Sequence, residues 1–347
     1  MMQRLKNFYI YYTWQCNLHC KHCWVNGGNN CTEKLDPKTA YQASCEAIDL
    51  GAAFIKLSGG EPLLHASDIV EIANMVKLYN PDISLCLETN ATLINEGLAK
   101  QLQVFDSISV SVDSSNPEEH DDNRGRAGAF NSAINGIELL RKNNIKIGIT
   151  TLLQEEVSYE SIDRLISLSK ELGVHRVKLN PIMNVGRAYD ENSSFYSISP
   201  LDLLKIKSRY MHENQIKVDI LLPCAFSYSF MNPESSNFIS CDCLSLLSIL
   251  PDKTIGLCGE ASNLTKLQFG RYGVDSIKAI WNDSPSLIHL RDTIPSKLTG
   301  ICGKCVLKSQ CMGGCRVEGL LSGGEINSPS YICQYMFDRG LFPYSCR

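Results

Sequence analysis

The chain has 347 residues, 44% of them apolar and 20% charged, enough to bury a large core and too apolar for a disordered chain. Lys plus Arg number 33 against 37 Asp plus Glu, a net charge of −4, so no basic excess points to nucleic acid and no Lys/Arg block points to an anionic membrane. The start, MMQRLKNFYIYYTW, lacks a secretory signal's apolar core and cleavage site, and no run approaches the roughly 18 apolar residues of a membrane span; a cytoplasmic protein acting on a small molecule or a peptide is expected.

From Phe8 to about Asn180, six apolar runs alternate with amphipathic stretches: FYIYYTW, AFIKLS, ISLCLE, SISVSV, IKIGITTLL and VHRVKLN. Each is rich in β-branched or aromatic residues and nearly continuously apolar, as parallel strands buried on both faces would be. Between them, Asp36 and Pro37 read as an N-cap and first helical position, with Gly51 as the stop. Further helical patterns span Ser67 to Tyr79, Ala129 to Asn143 and Tyr159 to Leu172. Six β/α units of about 30 residues predict an α/β fold, a partial (β/α)6 TIM-like barrel over residues 1–190. A bridging segment, 191–240, holds a helical stretch (Pro200 to His212), a strand-like run (KVDILLP) and the weakly charged SYSFMNPESSNF. Residues 241–347 form a small Cys-rich domain, too poor in apolar residues to hold together without bound metal.

Sixteen cysteines in a reducing compartment argue for metal or redox chemistry over disulfides. The stretch YTWQCNLHCKHCWVNGG sets Cys16, Cys20 and Cys23 in C-x3-C-x2-C spacing after the first strand, at the barrel end where ligands bind. Three thiolates can hold a 4Fe-4S cluster and leave the fourth iron open for chemistry, as a catalytic zinc keeps one position open. The competing reading is a structural zinc completed by His19 or His22, although such a site ordinarily joins two separated knuckles. After the second strand, LSGGEPLL places Gly59 and Gly60 where backbone can approach closely, and Glu61 as a carboxylate on the same face. ETNAT, SVDSS and NPIMNVGRA follow the third, fourth and sixth strands and gather polar groups able to meet a ribose, an ammonium and a carboxylate. Near the end of the chain, CGKCVLKSQCMGGC gives Cys302, Cys305, Cys311 and Cys315 in C-x2-C-x5-C-x3-C spacing, followed by Cys333, more thiols than one zinc knuckle uses.

Over residues 8 to about 190 these motifs resemble the radical S-adenosylmethionine superfamily: its C-x3-C-x2-aromatic-C signature is matched by Cys16, Cys20, His22 and Cys23, and its GGE motif by Gly59, Gly60 and Glu61. The resemblance implies that an open iron chelates the amino and carboxylate groups of S-adenosylmethionine. One electron then cleaves the sulfonium to methionine and a 5'-deoxyadenosyl radical that abstracts a substrate hydrogen. It implies further that Glu61 receives the cofactor's ammonium, that Ser111 and Asp113 contact its ribose, and that Asn90 and Arg187 add contacts. HDDNRG, His120 to Gly125, resembles an H-D-x-x-R-G element of the peptide-modifying branch, in which Arg124 faces the cofactor carboxylate or caps the next helix. Ala91 stands where the family has the glycine of T-N-G.

The pattern from Cys243 through Cys258 to Cys333 resembles the SPASM domain, which carries two auxiliary 4Fe-4S clusters beside the radical-generating one. Carried over, Cys302, Cys305, Cys311 and Cys333 bind auxiliary cluster two, and Cys243, Cys258 and Cys315 bind auxiliary cluster one. The fourth position of cluster one falls to Cys241, Cys224, Cys346 or an open iron, and Lys253 replaces the glycine of the family's P-D-G turn. Cys45 and Cys86 are expected to be inert core residues and Cys31 a spare thiol.

Auxiliary clusters suit a substrate radical that must lose an electron, so the resemblance implies oxidation, such as crosslinking, of a ribosomally made peptide or a protein side chain. Glu260 is the expected base. Gly259 occupies the place where sulfatase-maturating enzymes carry an aspartate after the cysteine, which counts against formylglycine formation. The alternatives are a small-molecule dehydrogenase, a sulfatase-maturase-like enzyme and a zinc-bound scaffold without activity. Expected partners are the peptide or protein substrate, a separate leader-peptide recognition protein and an electron donor such as flavodoxin or ferredoxin.

Overall fold

Each of the six apolar runs forms a strand in the computed structural model, which describes residues 4–154, 157–189, 198–210, 212–227 and 241–347. The strands are β1 (Asn7–Tyr11), β2 (Phe54–Ser58), β3 (Ser84–Thr89), β4 (Ser107–Ser111), β5 (Ile147–Leu153) and β6 (Arg176–Pro181). They pair in parallel and in chain order; Phe8 lies opposite Ile55, and Ile55 opposite Leu85. The crossover helices lie at Pro37–Asp49, Ala66–Tyr79, Ala129–Lys142 and Tyr159–Glu171. The first starts where Asp36 accepts the Thr39 N–H at 2.8 Å and Pro37 opens the turn, and ends at Gly51, whose φ of 104° suits glycine.

Two further strands flank the six. The KVDILLP run contains β7 (Lys217–Ile220), parallel to β6, and β8 (Leu246–Ile249) pairs in parallel with β1 at the other side. Eight parallel strands therefore run in the order β8-β1-β2-β3-β4-β5-β6-β7, with antiparallel β9 (Thr254–Gly256) and β10 (Gln268–Arg271) beyond β8. Among the described residues β7 and β8 do not pair, so the barrel wall is open between them. The sheet runs straight across the expected boundary at residue 241. The expected helix at Pro200 spans Pro200–Tyr210, while SYSFMNPESSNF lies, after its first residue, outside the described residues. Among the described residues no helix is long and apolar enough to cross a membrane.

The two faces of the barrel wall differ, which corrects the expectation of strands apolar on both sides. Phe8, Ile10, Ile55, Leu57, Leu85, Leu87, Ile108 and Val110 are completely buried under the helices. The alternate residues, Tyr9, Tyr11, Lys56, Ser58, Glu88, Ser109, Thr150 and Lys178, line the other face and pair across it: Lys56 with Glu88 at 3.0 Å, Ser58 with Glu88 at 3.0 Å, Ser109 with Thr150 at 2.9 Å. A closed TIM barrel fills its interior with branched apolar side chains. This open one keeps a polar lumen.

After β10 the chain folds into short helices, Gly300–Lys304, Lys308–Cys311, Arg316–Gly323 and Tyr331–Asp338. None exceeds eight residues, far below the length at which a helix persists unaided, so their packing partners must hold them.

Candidate active site

The loop after β1 gathers Cys16, Cys20 and Cys23 with Leu18 and Ala129 into a separate apolar cluster. Its first half is tied to the end of β2: Gly60 N donates to Thr13 O at 2.7 Å and Glu61 N to Gln15 O at 2.8 Å. The glycine pair is required for this. A Cβ on Gly59, at φ 149°, would lie 2.5 Å from Thr13 O, and one on Gly60 2.3 Å from Gln15 O. The loop's middle is held by helix Pro117–Arg124, whose end accepts His19 N at Arg124 O and Lys21 N at Asn123 O, at 3.1 and 3.0 Å. Arg187, expected at the cofactor, is spent on the loop itself: Nε donates to Cys20 O at 2.7 Å and Nη1 to Gly27 O at 2.9 Å, while its own N–H reaches Cys23 O at 2.9 Å.

Arg124 ends its helix in front of the left-handed Gly125 and turns inward, so it does not cap the following helix. Its Nη2 donates to Asp113 Oδ1 at 2.7 Å, its Nη1 reaches Cys20 Sγ at 3.8 Å, and His22 Nε2 stands 3.7 Å from Asp113 Oδ2. Burial would raise the Asp113 carboxyl, and the Arg124 guanidinium overrides it, leaving Asp113 charged and below the ordinary carboxylate range. Asp113 gives Oδ1 to Arg124 and, among the described residues, has no hydrogen bond at Oδ2; Ser111, the other half of the expected ribose pair, ends β4 on the lumen row. Glu61 is fully buried and accepts from Thr89 Oγ1 at 2.7 Å, Asn90 N at 2.8 Å and Leu63 N at 2.9 Å. Burial nevertheless pushes its carboxyl up to about 7. Asn90 bridges this turn to the loop through Asn17 Oδ1 at 2.9 Å, and Ala91 accepts a left-handed φ of 59° where the family has glycine.

The later cysteines fall into two groups. Cys302, Cys305, Cys311 and Cys333 line one small cavity with Ala225, Lys308, Gly313 and Phe342. Cys241, Cys243, Cys258 and Cys315 stand within electrostatic reach of one another. Two of the alternatives for the fourth position of this second group lie elsewhere: Cys224 N donates to Cys311 Sγ at 3.4 Å, and Cys346 accepts from Val306 N, at 3.2 Å, beside Cys305. Cys241 is the remaining thiol. The donor sets suit iron–sulfur clusters: all are thiols, and N–H groups already aim at the sulfurs, Leu18 N at Cys16 at 3.4 Å and Ser330 N at Cys302 at 3.3 Å. Among the described residues no three Cys, His, Asp or Glu side chains converge as one ion requires. A cubane spreads its ligands over separate irons.

Residues 10–169 match the sequence profile of the Radical SAM superfamily. That stretch of the chain is a radical SAM domain. It is 29% identical over 342 residues to an AdoMet-dependent heme synthase of Methanosarcina barkeri, covering 92% of this chain and 93% of that protein. A serine-type anaerobic sulfatase-maturating enzyme of Klebsiella aerogenes is 26% identical over 86% of this chain and 76% of its own length. The fold is shared with the crystal structure of Streptococcus suis SuiB bound to precursor peptide SuiA, at a TM-score of 0.77 and 18% identity, over 96% of this chain and 76% of that one. The protein is therefore a radical SAM enzyme, and an S-adenosylmethionine site and a 4Fe-4S cluster come with that family.

In this radical SAM protein Gly259 sits against the cysteine loop: a Cβ there would lie 2.1 Å from the Trp24 ring and 2.6 Å from the Tyr11 ring. The position that holds the aspartate of sulfatase-maturating enzymes is thus closed by aromatic packing. Glu260 instead lies within electrostatic reach of Cys258, Lys56, Tyr11 and Lys178 in the lumen. Burial works against the charge of Lys178 and lowers its pKa, with Glu88 opposing. These lumen residues escape a reading of whole runs as apolar. Their signal is the polar residue at every second place, as in AFIKLS, ISLCLE and HRVKLN. Arg316 was equally invisible to motif reading, yet it is fully buried between the two later cysteine groups.

Proposed function

We propose that this enzyme uses the Cys16/Cys20/Cys23 site to cleave S-adenosylmethionine and oxidises a side chain of a peptide held in the polar lumen. Two auxiliary 4Fe-4S clusters, one at Cys241, Cys243, Cys258 and Cys315 and one at Cys302, Cys305, Cys311 and Cys333, belong to a Cys-rich domain over 241–347 that takes up the electron. The observation that carries this reading is the shared wall. Trp24, next to Cys23, packs on Gly259, next to Cys258, so the radical site and the nearer auxiliary site border the same lumen.

When bound, the first cluster supplies the electron that splits the sulfonium and starts hydrogen abstraction. The chain's own residues do the rest. Glu61 takes the ammonium of the cofactor, Ser111 meets its ribose, and Arg124 with Asp113 fixes the electrostatics at Cys20. Glu260 receives the substrate proton beside Cys258.

Charge balance favours a peptide over a heme-type tetrapyrrole, whose carboxylates call for surplus cations. Among the described residues of the lumen Lys56 is paired with Glu88 at 3.0 Å and Arg176 with Asp219, and Lys178 faces Glu88 and Glu260. A peptide, neutral along its backbone, fits that balance. The first test is iron and acid-labile sulfide after anaerobic reconstitution, with 5'-deoxyadenosine formation under dithionite. About twelve irons should fall to about eight, at four per cubane, and cofactor cleavage should vanish when Cys16, Cys20 and Cys23 are alanine. Cleavage that survives this substitution removes the central assignment. Loss of two hydrogens from a peptide encoded beside the gene would identify the substrate.

A further inference from the structure

Arg187 reaches the cysteine loop from the end of β6, as Arg124 does from the helix after β4. It sits in a short turn, Gly186–Tyr189, whose glycine takes a φ of 61°. A Cβ on Gly186 would lie 2.2 Å from Cys23 O and 2.5 Å from Trp24 O, so only glycine lets the turn press onto the loop. That close approach brings Arg187 N to Cys23 O at 2.9 Å, Nε to Cys20 O at 2.7 Å and Nη1 to Gly27 O at 2.9 Å. One residue thus ties three points of the loop together.

What the guanidinium touches decides what its charge does. Lys21, on the loop, is matched by Asp122 at 2.6 Å, and Arg124 by Asp113 at 2.7 Å. Arg187 rests on neutral carbonyls, and among the described residues it makes no ion pair. Unpaired cations elsewhere, such as Lys100 and Lys278, are exposed, where water and salt screen them. Arg187 is half-buried with two nitrogens fixed, and its charge reaches His22, between Cys20 and Cys23. Glu61, the acid within electrostatic reach of Cys16, is pushed up to about 7 by burial and does not cancel that charge.

We propose that Arg187 is a positioning residue that holds the stretch from Cys20 to Gly27 and makes the cluster bound by Cys16, Cys20 and Cys23 easier to reduce. The inference rests on the cluster assignment made above. The potential of an iron–sulfur cluster follows its net charge and surroundings. Reduction adds one electron from an external one-electron donor, and no bond to the protein forms or breaks. A guanidinium nearby stabilises the more negative, reduced form, and does so more strongly where water is partly excluded. Arg124 adds less to this field because Asp113 offsets it.

The test is a redox titration of the anaerobically reconstituted holoenzyme with titanium(III) citrate, followed by EPR without S-adenosylmethionine. The signal absent when Cys16, Cys20 and Cys23 are alanine belongs to the first cluster. In Arg187→Met the reduced-to-oxidised ratio of that cluster, read at the wild-type midpoint, should fall tenfold or more, about 59 mV for a one-electron couple. The other signals should keep their midpoints. Arg187→Lys keeps the charge and loses the planar fork, so its midpoint should stay with the wild type. Asp113→Asn uncovers the charge of Arg124 and should raise the ratio, which reads the same field if Arg187→Met fails to hold the first cluster. Lys142→Met, the loss of an exposed cation on a barrel helix, should change nothing. A first-cluster midpoint unmoved in Arg187→Met, or lowered as far in Arg187→Lys, overturns the role of the charge; where Arg187→Met holds no first cluster, an unmoved midpoint in Asp113→Asn does so. A wild-type enzyme with no signal that depends on Cys16, Cys20 and Cys23 overturns instead the cluster assignment beneath it.

Discussion

Two buried arginines serve the two ends of this molecule differently. Arg124, beside Cys20, is neutralised by the protein's own Asp113 at 2.7 Å. Arg316, between the later cysteine groups, is completely buried and donates to backbone carbonyls: Ser328 O at 2.8 Å, Ile326 O at 3.2 Å, Gly314 O at 3.4 Å, and Gly313 O. The nearby acid, Glu318, is pushed up to about 7 by burial, against the pull of Arg316. A buried cation without a carboxylate is expensive unless anions surround it. The surrounding groups are thiols, and the charge of Arg316 favours the thiolate forms of Cys243, Cys302 and Cys311. Arg124 and Asp113 therefore balance each other before metal arrives, whereas Arg316 has no carboxylate and, on the proposed assignment, faces anionic clusters.

The sharpest way to break that contrast is Arg316→Met. It leaves buried carbonyls without donors, each at roughly 1–3 kcal/mol, and removes the cation that the thiolates face. Iron should fall from about twelve toward about four per chain, with residues 300–347 becoming sensitive to protease. Full iron content and an unchanged denaturation midpoint would end the argument that this arginine was placed for clusters.

Arg124→Met comes next. It strands Asp113 as a buried charge, at roughly 3–5 kcal/mol, and the Asp113 carboxyl should rise from its depressed value because burial then acts unopposed. Here, unlike Arg316→Met, the C-terminal irons should stay. Restoring neutrality with Asp113→Asn in the same chain should recover much of the stability, a double-mutant cycle that Arg316 cannot show for want of a carboxylate partner.

That asymmetry was only half legible in the sequence. The six strands, their helices and the cysteine spacings could be read because each is local: a β-branched run, an Asp-Pro start, a C-x2-C step. The joining of β8 to β1 depends on residues more than 230 positions apart, Asn7 opposite Leu246, and no local pattern carries it. Arg124 was visible inside HDDNRG, but its pairing with Asp113 was not, since only the fold of the helix brings the guanidinium onto that carboxylate. Arg316 sits in a helix of mixed composition, where an isolated arginine ordinarily reads as surface. The lumen charges were hidden by averaging, because Phe8, Ile55 and Leu85 on the outer face made each run look apolar throughout.

A smaller effect tests how far the barrel site is built by backbone alone. Gly136, within helix Ala129–Lys142, lies under the turn that holds Asn90, and a Cβ there would meet Ala91 O at 2.5 Å. Alanine should gain about 1 kcal/mol of helix propensity and lose more than that in collision with a backbone that cannot yield, a net cost of about 1–2 kcal/mol. S-adenosylmethionine affinity should drop with it, and the C-terminal iron should be unaffected. A stabilised Gly136→Ala protein would show that the turn has room to move.

The smallest expected effect concerns Glu61, where the barrel site leaves one charge unbalanced. Burial raises its carboxyl to about 7 although three donors point at it. Since an unfolded glutamate titrates near 4.5, the folded state holds the extra proton between those values, and stability from this group falls as pH rises through that window. A bound ammonium reverses the preference by pairing with the carboxylate, so ligand binding releases the proton. S-adenosylmethionine should therefore stabilise the protein more at pH 7.5 than at pH 6, by less than about 1.4 kcal/mol per pH unit for one proton, as read by thermal shift on the anaerobic holoenzyme. Glu318 titrates in the same range but lies in the C-terminal region, so Glu61→Gln separates the two. In that variant the pH dependence of the ligand's stabilisation should disappear. If it persists undiminished, Glu61 is a structural acceptor for the Thr89–Asn90 turn, and the ammonium is held by another group.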